Sequence, residues 1–307
     1  MVRHLITQVE GLDIFYREAG DPASPKLVLL GGFPASSHQF RNLIPALADR
    51  FHVLSPDYPG FGNSAMPDPA TFPYTFDRIS EIIESWLLQL GLTRFGLYVQ
   101  DYGGPVGFRI LGRHPEWLQW LIVQNSNAYE EGFTAAWDGI RHRLWKSRTA
   151  ETEAPLGAFL ELEGIRSVYL HGHSDPALIS PDNWNMDYRF MERPGARRVQ
   201  LDLLYDYRTN VPLYPAWQQL LREHRPATLI FWGQRDVFFT PEGGEAYLRD
   251  LPDAELYRLD SGHFAVEDSL ETIASGIGRF FEERVARREA AQGVDESAAA
   301  RSRTRVA

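Results

Sequence analysis

The fold is decided by the stretch Leu97-Tyr98-Val99-Gln100-Asp101-Tyr102-Gly103-Gly104-Pro105-Val106-Gly107. An apolar run that begins at Phe95 ends at an acidic residue, and two glycines and a proline then open a helix-like segment that reaches Arg113. A strand that turns sharply into a helix lifts the residue at its tip above a parallel sheet, as in a nucleophile elbow. The residue at this tip is Asp101 rather than serine. A carboxylate at this position restricts the chemistry that the chain can perform.

Short apolar runs alternate with helix-like segments on both sides of the elbow. Helical spacing places Ile79, Ile82, Ile83, Trp86 and Leu87 on one face of a segment that leads into the elbow strand. The other predicted strands of this series are Lys26 to Leu30, His52 to Leu54, Leu118 to Val123, Ala227 to Trp232 and Glu255 to Leu259. Repeated strand-helix units with short connections predict an α/β fold with a mainly parallel central sheet flanked by helices. Alternating residues around Glu10-Gly11 predict an antiparallel hairpin before it.

The alternation is interrupted after Asn125, where the chain becomes rich in tryptophan, tyrosine and helix-like pieces. We interpret residues 129–213 as a helical cap inserted into the core. The two parts of the core are then residues 1–128 and 214–289. Residues 290–307 are polar and rich in alanine, without periodicity, which predicts a disordered tail.

Composition excludes several classes of function. A net charge of −10 over 307 residues disfavours a general nucleic-acid surface, because phosphate binding requires clustered cations. The absence of cysteine excludes disulfides, thiolate metal ligands and a cysteine nucleophile. No apolar run approaches the ~18 residues of a membrane span, so we expect no membrane association and a cytoplasmic location.

Three reactive side chains are predicted at the carboxyl ends of strands, where active sites of open parallel sheets gather. Asp101 follows the strand Phe95 to Gln100, Asp236 follows Ala227 to Trp232, and His263 lies in the loop after Glu255 to Leu259. Their order along the chain is nucleophile, acid, histidine. This is the order of the catalytic triad in α/β-hydrolases.

Five motifs in the same order as in known proteins extend this comparison. They are Gly32-Phe33-Pro34, Pro56-Asp57-Tyr58-Pro59-Gly60-Phe61-Gly62-Asn63-Ser64, Val99-Gln100-Asp101-Tyr102-Gly103-Gly104, Trp232-Gly233-Gln234-Arg235-Asp236 and Ser261-Gly262-His263-Phe264. With them the chain resembles haloalkane dehalogenases and epoxide hydrolases of the α/β-hydrolase superfamily, from about Leu12 to Phe281 apart from the cap. The resemblance implies Asp101 as nucleophile, Asp236 as acid and His263 as base. It also implies an oxyanion hole from the backbone N–H groups of Phe33 and Tyr102, and neither cofactor nor metal.

The replacement of serine by aspartate has a chemical reason. A carboxylate can displace a leaving group from a saturated carbon and remain attached as an alkyl ester. His263 would then activate the water that hydrolyses the ester, while Asp236 orients the imidazole. We therefore expect a small apolar electrophile and water as the partners. The sequence does not define an oligomeric state.

The identity of the triad acid and the geometry of the loop before Phe33 stay open. Glu130 and Glu131 follow the strand Leu118 to Val123 and are rivals of Asp236, because some dehalogenases carry the acid there. Gly31 stands where the resembling families usually carry histidine, which bears on the geometry of the loop before Phe33.

The residues that would bind the leaving group do not all favour the same substrate. Dehalogenases usually follow the nucleophile with tryptophan, whose indole N–H binds halide, whereas this chain has Tyr102. Epoxide hydrolases use two cap tyrosines, for which Tyr207 is one candidate. The second tyrosine is sought among Tyr169, Tyr188 and Tyr205, and indole donors or pocket walls among Trp145, Trp184 and Trp217. We expect haloalkane hydrolysis first, an epoxide as the alternative, and a catalytically silent binding domain as the alternative of another class, with Tyr102, Tyr207 and Trp184 as substrate contacts.

A short histidine cluster in the cap deserves a separate interpretation. His171-Gly172-His173 and Asp175 combine residue types that bind metals, but no further ligand can be assigned. We expect a solvated loop and no metal site.

Overall fold

The computed structural model describes residues 1–287. The tail expected over residues 290–307 lies outside the described residues. Eight strands form a single sheet within the described part of the chain. They are β1 (Arg3–Val9), β2 (Leu12–Ala19), β3 (Lys26–Leu30), β4 (His52–Pro56), β5 (Phe95–Gln100), β6 (Leu118–Gln124), β7 (Ala227–Gly233) and β8 (Glu255–Leu259).

The sheet has the order β1-β2-β4-β3-β5-β6-β7-β8. β1 and β2 form the predicted antiparallel hairpin, β2 pairs antiparallel with β4, and every later pair is parallel. All six residues of β5 are buried, because helices cover both faces of the sheet at its centre. The predicted α/β-hydrolase architecture is thereby confirmed, and the carboxyl ends of β5, β6 and β7 lie side by side.

Ten α-helices lie within the described residues. They are α1 (Leu43–Leu47), α2 (Phe76–Gln89), α3 (Gly103–Arg113), α4 (Ala150–Gly157), α5 (Leu162–Leu170), α6 (Pro181–Met191), α7 (Ala196–Asp206), α8 (Tyr214–His224), α9 (Pro241–Asp250) and α10 (Leu270–Phe280). The helical segment between β3 and β4 is interrupted, since a 3-10 turn, Ser37–Phe40, precedes the short α1. Pro45 has no amide hydrogen to donate to the preceding turn, which accounts for the interruption.

The segment between β6 and β7 contains α4 to α8. The last of these helices packs on the core, because Trp217 of α8 stacks on Phe108 of α3 with ring centroids 5.4 Å apart. The cap helix α7 contacts the core at its carboxyl end, where the Asp206 carboxylate accepts a hydrogen bond of 2.8 Å from the Phe76 amide at the start of α2. The contact of α7 with α2 joins the cap segment to the core.

Every helix within residues 1–287 is too short or too polar to cross a lipid bilayer.

Candidate active site

The turn after β5 puts Asp101 in a left-handed backbone conformation, with φ of 49°. Such a conformation costs free energy for a residue with a side chain and persists only where the surroundings enforce it. The Asp101 amide donates to the Asn125 carbonyl over 3.1 Å, and the Ser126 hydroxyl donates to the Asp101 carbonyl over 2.8 Å. The end of β6 therefore holds the elbow in place.

The loop that follows β3 binds the Asp101 carboxylate. The Phe33 amide donates to Asp101 Oδ1 over 2.6 Å, and the Tyr102 amide lies close enough to lower the pKa of this carboxyl. A Cβ atom on Gly32 would lie only 2.2 Å from Asp101 Oδ1, so this close approach requires glycine. Both amides expected to form an oxyanion hole thus lie beside the carboxylate of the predicted nucleophile.

Gly31 departs from the resembling families without leaving a gap. A Cβ atom at this position would lie 1.7 Å from the amide nitrogen of Gln39, so the Gln39 side chain occupies the space beside Gly31. The Tyr58 hydroxyl donates to the Gly31 carbonyl over 2.9 Å. The loop before Phe33 is therefore held by Gln39 and Tyr58.

The three predicted triad residues lie together at the carboxyl edge of the sheet. His263 Nδ1 is 2.8 Å from Asp236 Oδ2, and His263 Nε2 is 3.8 Å from Asp101 Oδ2. Asp236 Oδ1 accepts a hydrogen bond from the Phe238 amide, and Asp236 Oδ2 accepts one from the Asn125 side chain. The imidazole thus contacts one carboxylate firmly and faces the other.

The rival acids lie elsewhere on the surface. Glu130 is exposed and forms an ion pair of 2.8 Å with Arg141, and Glu131 is exposed and pairs with Arg249. Among these carboxylates, Asp236 alone contacts His263 in the described structure. We attribute the difference to the loop after β7, which brings Asp236 under the imidazole.

Burial and neighbouring charges oppose each other in this site. Burial raises the pKa of Asp101 to about 6, against the lowering effects of His263 and of the Phe33 and Tyr102 amides. Burial alone would lower the pKa of His263, but the Asp236 and Asp101 carboxylates outweigh it and raise this pKa. Both side chains can therefore change protonation state within the pH range in which enzymes work.

An apolar cavity of about 20 Å³ lies in front of Asp101. A space of this size holds a group about as large as one water molecule. The walls come from the core and the cap: Phe33, Asp101, Tyr102, Ala136, Trp137, Ile140, Leu156, Phe159, Leu204 and Phe238. Asp101 carries the one carboxyl group among these residues, so the chemistry of the walls suits an uncharged apolar group.

Two tyrosines near the carboxylate have buried hydroxyls. The hydroxyls of Tyr102 and Tyr207 make no hydrogen bond within normal limits in the described structure. Tyr102 lines the cavity, and Tyr207 packs behind Trp137, with ring centroids 4.5 Å apart. Burial raises the pKa of both phenols well above 10, and Asp101 raises both further, while the Tyr214 phenol also raises that of Tyr207. Both phenols therefore stay protonated and can donate.

The nearby indole groups are already engaged. Trp137 Nε1 donates to the Phe238 carbonyl and Trp145 Nε1 donates to the Leu204 carbonyl, each over 3.0 Å. Both N–H groups are thus unavailable to a halide in this arrangement.

Trp184, expected to contact substrate, is not among the cavity walls. It is half-buried and packs beside Tyr169 and under the Arg166 guanidinium. Its position on α6 directs it toward α5 rather than toward Asp101. The other candidates absent from the cavity walls are Trp145, Tyr169, Tyr188, Tyr205, Tyr207 and Trp217.

The histidine cluster of the cap contacts the loop that carries His263. His173 Nδ1 is 2.6 Å from Asp268 Oδ2, and the Ser261 hydroxyl donates to Asp268 Oδ1 over 2.7 Å. His173 is buried, so the expectation of a solvated loop is wrong at this residue. Within residues 1–287, no three His, Cys, Asp or Glu side chains form a group that could hold a metal ion. The cluster instead joins the cap to the loop before His263.

Comparison with known proteins agrees with this geometry. A family model described as "alpha/beta hydrolase fold" matches residues 25–270. The chain belongs to the alpha/beta hydrolase fold family. It is thus an enzyme of the hydrolase type, and the resemblance inferred from the five motifs is confirmed.

Curated relatives of this hydrolase span nearly its whole length. An uncharacterized hydrolase of Saccharomyces cerevisiae is 38% identical, with 91% of this chain and 97% of the relative covered. A cis-3-alkyl-4-alkyloxetan-2-one decarboxylase of Shewanella oneidensis is 26% identical, with 92% and 88% covered. A haloalkane dehalogenase of Mycobacterium marinum is 29% identical, with 88% and 89% covered.

Solved structures show the same fold. An epoxide hydrolase matches the hydrolase with a TM-score of 0.75 at 20% identity, covering 92% of this chain and 99% of the other. A haloalkane dehalogenase of Bradyrhizobium elkani matches with a TM-score of 0.73 at 21% identity, covering 95% and 100%.

Several residues of this hydrolase's site gave no sequence signal specific enough to identify them. Asn125 and Gln124 end β6, and both contact the predicted triad through side-chain amides. Their position at the carboxyl end of a strand was the available signal. Amide side chains are common at such strand ends, so this signal does not mark a functional residue. Trp137 and Phe238 enter the cavity from the cap and from the loop after Asp236, which depends on how distant segments pack.

Proposed function

We propose that this hydrolase opens small apolar epoxides through an alkyl ester on Asp101. The phenol groups beside the candidate nucleophile carry the proposal. An epoxide oxygen leaves as a poorly stabilised alkoxide and needs a proton donor, whereas a halide leaves as a stable anion. Tyr102 on the cavity wall and Tyr207 behind it supply protonated phenols, and the indoles of Trp137 and Trp145 are engaged elsewhere.

The first step is an in-line displacement by Asp101. Oδ1 is held by the Phe33 amide, so Oδ2 attacks the ring carbon. A C–O bond forms between Oδ2 and this carbon as the ring C–O bond breaks, and a phenol protonates the departing alkoxide. The phenolate is reprotonated from solvent before the next turnover. The step consumes no proton at His263.

The second step hydrolyses the ester. His263 Nε2 takes a proton from water, and the hydroxide attacks the Asp101 carboxyl carbon. Negative charge then develops on Oδ1, which the Phe33 and Tyr102 amides stabilise. Collapse breaks the bond between the carboxyl carbon and Oδ2, and the imidazolium gives its proton to the leaving alkoxide, so the diol leaves with Oδ2. The Asp101 carboxyl releases its remaining proton to solvent, which balances the proton taken up by the phenolate. Asp236, 2.8 Å from Nδ1, stabilises the imidazolium.

Haloalkane hydrolysis is the second candidate, because a haloalkane dehalogenase is a relative at 29% identity over most of the chain. The same two carboxylates and histidine serve that reaction, with the phenol of Tyr102 as a halide donor. The oxetanone decarboxylase relative is named for a substrate with a strained four-membered ring ester. That substrate, like an epoxide, is a strained oxygen ring.

A matched substrate pair tests the proposal. Purified enzyme is offered an epoxide and a chloroalkane and bromoalkane of the same carbon skeleton, with diol and free halide as readouts. We expect diol formation with a kcat/KM at least about tenfold above that for halide release, and none with Asp101→Asn. Preferential halide release would reassign the enzyme to dehalogenation. No product from any member of a panel of skeletons would contradict both and favour a binding role.

A further inference from the structure

Two glutamines lie next to one another beneath the candidate base. Gln100 ends β5 and Gln124 ends β6, and the two are direct partners in the parallel ladder. Both side chains are fully buried. A buried amide must find partners for its donors and its acceptor or lose free energy. The partners of these two amides show what they do.

Gln124 fixes the backbone of the loop that carries His263. The Tyr98 hydroxyl donates to Gln124 Oε1 over 2.5 Å, which leaves the amide nitrogen directed away from Tyr98. Gln124 Nε2 donates to the His263 carbonyl over 3.0 Å. The orientation of this amide is therefore set by Tyr98, and it holds the main chain of His263.

Gln100 contacts the imidazole itself. Gln100 Nε2 lies 2.9 Å from His263 Nε2, the nitrogen that faces Asp101 Oδ2 at 3.8 Å. Since Nδ1 donates to Asp236, the neutral imidazole carries its lone pair on Nε2 and accepts from Gln100. Gln100 Oε1 is buried and has no hydrogen-bond partner in the described structure.

We propose that Gln100 is a positioning residue for ester hydrolysis, which serves His263 in both of its protonation states. Its N–H occupies the lone pair of the neutral imidazole and so fixes the ring beside Asp101 until water takes its place. After His263 accepts the proton of water, Nε2 becomes a donor, and a half-turn of the amide presents the unpartnered Oε1 as an acceptor. No other atom changes bonding, so the amide is returned unchanged. The inference rests on the proposed two-step reaction.

The kinetic consequence is specific to the second step. Attack by Asp101 needs no base, so Gln100→Leu should leave kcat/KM unchanged and lower kcat about tenfold, the effect expected for one buried hydrogen bond. KM then falls by the same factor, and the alkyl ester accumulates, as seen by mass spectrometry of the intact protein. Gln119→Leu is the matched control, because Gln119 lies at the opposite end of β6 and pairs with Arg94.

A second variant covers the case in which leucine disturbs folding. Gln100→Glu keeps the shape but offers only acceptors, so it stabilises the imidazolium and moves the acidic limb of kcat to higher pH. Two outcomes would overturn the inference. One is Gln100→Leu kinetics equal to those of wild type. The other is an equal loss in kcat and kcat/KM in Gln100→Leu together with an unmoved acidic limb of kcat in Gln100→Glu. Ester formation by wild type and His263→Gln distinguishes failure of the proposed function from failure of this inference. If wild type and His263→Gln form no ester at all, the proposed function fails; if they form it and the Gln100 variants behave as wild type, only the role of Gln100 fails.

Discussion

The rings of Tyr102 and Tyr207 lie 6.1 Å apart at an angle of 47°, and both hydroxyls are buried without a hydrogen-bond partner in the described structure. One tyrosine comes from the elbow and the other from the cap. A buried phenol without a partner loses free energy, and such groups persist where a ligand uses them. This pair is the reason for favouring an epoxide over a haloalkane.

Removal of either phenol should separate the two chemistries. Tyr207→Phe and Tyr102→Phe are each expected to lower kcat/KM for epoxides by roughly 10²-fold, because the alkoxide loses a donor in the transition state. Halide release from a matched haloalkane should change much less with Tyr207→Phe. Steady-state kinetics with both substrates measures the difference.

Tyr129→Phe is the control, since the Tyr129 hydroxyl donates to Asp250. Equal losses for epoxide and haloalkane in Tyr207→Phe would argue that this tyrosine packs the cap and has no chemical role.

The pH dependence follows from the charge states of the site. Attack needs ionised Asp101, so kcat/KM for the epoxide should rise with pH and reach half of its maximum near pH 6. The phenols should stay protonated beyond pH 10, because their pKa values are raised well above 10. No alkaline decline in kcat/KM is therefore expected below that pH. A half-maximum near the ordinary aspartate value of 3.8 would contradict the effect of burial.

Asp101 should also destabilise the fold. Its pKa is about 6 in the folded chain against 3.8 ordinarily, so the folded state favours the protonated carboxyl. The stability that this group contributes in acid is lost as pH rises from about 4 to about 6, and the loss amounts to about 3 kcal/mol. Asp101→Asn should avoid this loss.

Urea unfolding compares the two proteins at either end of that window. The free energy of unfolding of Asp101→Asn should exceed that of wild type at neutral pH and approach it near pH 4. Asp49→Asn, at an exposed position, should show no such difference. A gap that does not change with pH would rule out the proposed linkage.

Much of this site was predictable because its signals are local. The elbow is recognisable from an apolar strand that ends in Asp101 and two glycines, and β3 and β8 have the predicted ends. Triad order follows from which strands carry reactive residues at their carboxyl ends. These features depend on short-range patterns and on the parallel sheet.

The rest depends on long-range packing. The choice between Asp236 and Glu130 requires knowing which loop passes beneath His263, and the walls of the cavity require knowing how the cap docks. Trp184 was chosen for its chemistry, but the helical face on which it lies is determined by packing against Tyr169. Gln100 is adjacent to Asp101 in sequence, yet its role is visible only once β8 brings His263 above it.

The contact between the cap and the His263 loop supports one further prediction. His173→Leu removes one partner of the buried pair with Asp268, which should lower the free energy of unfolding by about 3 kcal/mol. The hydrogen bonds from His173 and Ser261 hold the pKa of Asp268 below its ordinary value although burial opposes them. Wild type should therefore lose this stability as pH falls through that lowered pKa.

Thermal unfolding against His142→Leu checks the effect, because His142 is exposed. A variant as stable as the control would show that the pair does not anchor the cap.

The central claim is that Asp101 becomes covalently attached to the substrate. Its most direct test is a single turnover in isotopically labelled water, followed by mass spectrometry of the peptide that contains Asp101 and of the product. We expect label in the Asp101 carboxylate and an unlabelled product, because water attacks the ester carbonyl and the product leaves with a carboxylate oxygen. Label in the product and none in Asp101 would mean that water attacks the substrate directly, and would contradict the account.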